Sequence, residues 1–162
     1  MNNSYDETKV GIANKNYKTL CGTLDKMNWK YTRHDDARKI ITSAIGEDLT
    51  IALHFFVDAE RQVMYVKSPL TFKIAEDRRD EVGKALHSAN YSMLNGCFEY
   101  DAVNGFVAFR LVIPFEGCEV SQEMCKYMVM LTCQMVDKFN DKILALSEGR
   151  MTLQQFLQFA ES

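Results

Sequence analysis

The chain has 162 residues, 47% apolar, 25% charged and 11% aromatic, with 8 Gly and 2 Pro. That is the composition of one globular unit with a sizeable core, and it excludes collagen-like, low-complexity and disordered classes. Nineteen Lys and Arg against 22 Asp and Glu leave a net charge of −3, and without a clustered basic face or a high isoelectric point no nucleic-acid partner is expected.

Residues 1–10 read as a polar N-terminal segment and residues 11–162 as a single α+β domain. From there Ala13, Tyr17, Leu20, Cys21 and Leu24 recur at steps of three and four, which predicts an amphipathic helix over about 11–27. Trp29 and Tyr31 alternate with Lys30 and Thr32 as a short strand. Three runs rich in branched and aromatic residues follow, at 39–45, 49–57 and 63–68. Their connectors are too short for anything but antiparallel neighbours.

Residues 75–94 carry the next helical stripe, with Val82, Ala85, Leu86, Ala89, Met93 and Leu94 on one side. Two strands at 97–101 and 106–115 then flank Asn104-Gly105, a strong hairpin signal. A two-residue loop there would set Tyr100 opposite Phe109, Phe98 opposite Leu111 and Glu99 opposite Arg110. Ser121 caps a long helix on which Met124, Met128, Leu131, Met135, Phe139, Ile143 and Leu146 hold the apolar phase, and Gly149 ends it. Leu153, Phe156, Leu157 and Ala160 predict a last short helix.

This order, α-β-β-β-α-β-β-α, specifies an antiparallel sheet of five strands, or six with the run at Trp29, packed on one face by helices. The second sheet face is then expected to hold His54, Phe56, Met64, Val66, Ala108 and Val112. It is too apolar to be left in water, so a terminal helix or a second subunit should cover it. On the long helix Met130 and Cys133 fall outside the main stripe. Either they pack under the terminal helix or they face a partner, for which flexible thioethers are suited.

Several strings resemble the YbjN-like family of small bacterial proteins, whose fold is similar to that of type III secretion chaperones. They are Leu53-His54-Phe55-Phe56-Val57, the helix end and strand from Met93 to Asp101, the return strand Asn104-Gly105-Phe106-Val107-Ala108-Phe109-Arg110, and the helix begun at Val120-Ser121. The resemblance spans about residues 12–147. It implies a non-enzymatic domain with regulatory or chaperone-like roles, often dimeric.

Catalytic and metal chemistry find little support in the residues. His34, His54 and His87 sit on separate elements without a C-x-x-C or H-E-x-x-H string, and no phosphate-cradling glycine motif occurs. Cys97 follows a helix C-terminus, where the dipole disfavours a thiolate. The five cysteines, odd in number and set in apolar segments, read as buried thiols of a reducing compartment. No apolar stretch is long enough for an export signal or a membrane span, so a cytoplasmic protein without membrane contact is expected. The surfaces expected to hold a protein partner or a second copy of the chain are those of His54, Phe56, Met64, Val66, Met130 and Cys133. The alternative is a small-molecule pocket or active site on the second sheet face, using His54 or Cys97. No cofactor or metal is expected.

Overall fold

The computed structural model describes residues 3–161. Helix α1 spans Asn3–Lys26, followed by strands β1 (Thr32–His34), β2 (Lys39–Ile45), β3 (Thr50–Asp58) and β4 (Val63–Pro69). After α2 (Arg79–Ser92) come β5 (Cys97–Asp101) and β6 (Phe106–Pro114), then α3 (Gln122–Ser147) and α4 (Leu153–Ala160). The six strands form one antiparallel sheet in the order β1-β2-β3-β4-β6-β5.

Alternation along each strand decides which side is core. Ile51, Leu53, Phe55 and Val57 of β3, Met64 and Val66 of β4, and Val107, Phe109 and Leu111 of β6 are all buried beneath the helices. Ser121 caps α3 as expected, accepting the Met124 N–H at 3.1 Å. The buried stripe of α3 runs through Cys125, Met128, Val129, Thr132, Val136, Phe139, Ile143 and Leu146. Leu131 and Met135 are rotated to its flank, and Met124 is exposed. Phe139 carries the core outward, meeting Phe98 at 5.7 Å and Phe159 of α4 at 5.5 Å. The buried Asn16 ties α1 to the loop that leads into α3, donating to Cys118 O and accepting the Val120 N–H.

Four expectations are corrected. Helix α1 begins at Asn3, eight positions before the apolar periodicity does, because adding a turn to an existing helix costs far less than nucleating one. Strand β1 is displaced from Trp29 and Tyr31 to three exposed residues. A polar latch holds it: Tyr17 Oη donates to Asp35 Oδ1 at 2.9 Å, as does Arg33 Nε. Burial and the Asp35 bond push the Tyr17 phenol up to about 12. Helix α2 ends at Ser92, so Leu94 leaves its stripe and stands fully in solvent.

The fourth correction is the β5–β6 register. Asp101 accepts the N–H groups of Val103 and Asn104, each at 3.0 Å, and closes a four-residue loop in place of the two-residue turn. Phe98 therefore faces Phe109 and Tyr100 faces Val107, a shift of two that leaves every side chain on its expected face. Glu99 now lies diagonal to Arg110 and still reaches it, at 3.0 Å.

The outer edge of the sheet at β5 is closed at its middle. The Phe98 N–H donates to Asn90 Oδ1 at 2.7 Å, while Asn90 Nδ2 donates to Phe98 O at 2.9 Å. One amide thus meets both outward backbone groups of Phe98.

Gly96 sits beside this edge at φ +80°, where an added Cβ would overlap the Phe109 ring. Gly96→Ala is expected to cost about 2–4 kcal/mol, from left-handed strain plus overpacking, read as a lower urea midpoint. A loss under about 0.5 kcal/mol would show that the ring moves aside freely.

Candidate protein-docking surfaces

No helix among the described residues covers the second face of the sheet. The ladder registers set two rows of its side chains next to one another, with Pro69, Ala108 and Glu99 in the row beyond. One runs His34, Lys39, Phe56, Tyr65, Val112 across five strands, and the other Thr32, Ile41, His54, Lys67, Arg110, Cys97 across all six. The first is largely apolar: Phe56 and Tyr65 stack with centroids 4.8 Å apart, and Lys39 Nζ lies 5.2 Å from the Phe56 centroid. The second is basic at its centre, where Glu99 reaches Lys67 at 2.8 Å and Arg110 at 3.0 Å.

His54 and Phe56 therefore stand where they were expected. Met64 and Val66 do not: both are 0% exposed and point into the core. Residues 59–62 set Asp58 opposite Val63, so Val57 pairs with Met64 and Phe56 with Tyr65. Tyr65 and Lys67 take the places on the open face. Only the hairpin register distinguishes these alternatives, because both sets of β4 residues suit a strand. A depression of about 620 Å³ lies at one corner, where Lys9 and Val10 of α1 overhang Phe56, Asp58 and Tyr65.

Met130 and Cys133 lie on α3, on the far side of the sheet from His54 and Phe56. Helix α4 packs on α2 and around Phe139, leaving Met130 half exposed. Cys133 is partly buried, and burial, then Asp137, push its thiol up to about 11. The thiols are not uniformly buried: Cys21 and Cys125 are, Cys97 and Cys133 are intermediate, and Cys118 is exposed in the loop before α3. On one flank of α3, Met93, Leu94, Tyr127, Leu131 and Met135 line a groove of about 310 Å³. Sequence periodicity had placed Leu94 and Leu131 in the core, so this groove was not anticipated.

His54 and Cys97 share a row but are separated by β4 and β6, about 14 Å at the usual strand spacing. They do not converge on one substrate atom. Burial first, and then the charge of Lys39, hold the His54 imidazole below its ordinary value of 6.5.

A His with a depressed folded-state pKa binds its proton less readily than in the unfolded chain, so its contribution to stability is present above about pH 6.5 and is lost as the pH falls. His54→Gln should therefore gain on wild type as the pH is lowered from about 7.5 to about 5, measured by urea unfolding at each pH. Parallel stability curves would sink this assignment.

The fold and its surfaces can be set beside known proteins. None of the curated proteins matches the chain in sequence. Among solved structures, YbjN from E. coli aligns over 82% of this chain and 90% of its own, with 10% identity and a TM-score of 0.55. The HopA1–SchA chaperone–effector complex contributes a chain aligned over 83% of this one and 95% of its own, with 18% identity and a TM-score of 0.51. These likenesses show a shared α+β fold. The model of the YbjN family, described as "Putative bacterial sensory transduction regulator", matches residues 16–145, and the chain belongs to that family.

Proposed function

We propose that this chain is a non-enzymatic, cytoplasmic protein-binding domain with a chaperone-like or regulatory role, acting as a homodimer. The observation that carries this reading is the sheet face opposite the helices, where Phe56, Tyr65 and Val112 form a continuous apolar row that α1 overhangs only at one corner. Contiguous apolar area of this kind, rimmed by polar residues, is typical of docking sites. The family description and the fold shared with a chaperone bound to its effector support it by analogy.

Self-association is assigned to the opposite side of the molecule. Leu94 projects fully into water beside the groove lined by Tyr127, Leu131 and Met135. A two-fold arrangement can insert each Leu94 into the partner's groove, burying both at once. A small-molecule ligand in the corner depression of about 620 Å³ is the second reading, favoured by the convergence there of Arg38, Asp58 and two aromatic rings.

Fluorescence anisotropy with labelled flexible peptides of about 20 residues, bearing apolar residues at intervals, should give dissociation constants in the micromolar range, and Phe56→Asp should weaken them at least about 5-fold. Absence of binding to every such peptide, together with thermal stabilisation by a small metabolite, would favour the second reading. Sedimentation at about 50 µM should give twice the 18.6 kDa of one chain, and Leu94→Glu should return the monomer. A monomeric wild type would remove the dimer from the proposal.

A further inference from the structure

The open sheet face differs in charge from the molecule that carries it. The chain as a whole is acidic, at −3, yet on this face Lys67 and Arg110 share a single carboxylate, Glu99, and Lys39 lies over Phe56 further across the sheet with no acid beside it in its row. The remaining acids with the same orientation are engaged elsewhere: Asp58 pairs with Arg61 at 2.8 Å, and Asp101 is turned into its own loop. His34 and His54 stand in the same rows and add positive charge when protonated.

We infer that this face docks an acidic protein segment that also carries an apolar anchor. Its carboxylates meet Lys67, Arg110 and Lys39, and its anchor packs on Phe56, Tyr65 and Val112. The inference rests on the protein-binding reading and supplies the chemistry of the partner. The rows lie two residues apart along each strand, about 6.8 Å, which is also the spacing of residues i and i+2 in an extended chain. An acidic residue two positions from an aromatic or aliphatic one therefore reaches both rows.

Two other occupants fit less well. A single-stranded nucleic acid would exploit the cations but needs free ring faces for its bases. Phe56 is stacked on Tyr65 and carries Lys39 over its ring, which hinders flat stacking of a base but leaves the ring edges and Val112 for an apolar anchor. A second copy set face to face would oppose like charges, which association disfavours.

The test uses the full-length protein and a labelled decapeptide in which Glu and Phe sit two apart among Ser residues. Companion peptides carry Gln or Lys in place of Glu, and a dodecamer of deoxythymidine serves as the nucleic-acid probe. The acidic peptide should bind at least about 5-fold tighter than the Gln version and lose that advantage in about 0.5 M salt. Lys67→Glu should weaken it by about 5-fold. Glu99→Gln, by releasing Lys67 and Arg110, should tighten it by about 3-fold, a gain that damaged folding would not produce. Binding should also raise the titration midpoint of His54 followed by NMR.

Equal binding of the Gln or Lys peptide would overturn the inference and leave the protein-binding reading standing. Failure of the acidic peptide alone, or a Glu99→Gln variant that binds no better, would overturn it likewise. Tighter binding of the deoxythymidine probe than of any peptide would overturn both.

Discussion

The pleat of the sheet is the constraint on which the rest of this molecule depends. Successive side chains on a strand must point to opposite faces, and the four α-helices of the described residues pack on one of them, α1 reaching past it only at a corner. Every apolar residue that β3 and β4 send to that side is buried, as are Val107, Phe109 and Leu111 of β6, with Ile113 partly buried at the strand's end. The alternate residues are committed to the other side by the same geometry. Phe56 cannot turn inward without sending Phe55 out, so the exposed row is the necessary counterpart of a well-filled core.

Helix α3 links the two apolar surfaces. Its buried stripe seals the sheet through Met128, Val136 and Ile143, while its flank contributes Tyr127, Leu131 and Met135 to the outer groove. The helix is apolar around more of its circumference than one packing surface needs, which accounts for its run of methionines. The aromatic series Phe109, Phe98, Phe139, Phe159 joins β6 to α4 through this helix.

Where periodicity is strong, the elements were legible in the sequence. Helix α3 was recognised from its cap and its long apolar phase, and β2, β3 and β4 from their branched residues, to within one residue at each end. His54 and Phe56 were placed on the open face because parity within one strand requires no knowledge of any other. Met64 and Val66 were misplaced because parity between strands depends on the loop 59–62, in which Gln62 adopts a left-handed conformation. Strand β1 has no apolar signature of its own, and its position follows from the bonds of Tyr17 and Arg33 to Asp35, of which Tyr17 comes from a helix 18 residues earlier in the chain. The hairpin at Asn104-Gly105 was recognised but not its length, since the side chain of Asp101 outcompetes the tighter turn. Lys39, Tyr65 and Lys67 joined the candidate site only through registers of this kind.

The Asn90 amide on Phe98 has a bearing on assembly. Endless stacking of sheets through their borders requires two open borders per molecule, one to offer and one to accept. With Phe98 held from within, a strand added at the β5 side would have to displace that amide first, whereas the β1–β2 side carries no such cap. A single asparagine thereby makes the two borders unequal and biases any such stacking toward a pair joined through one of them.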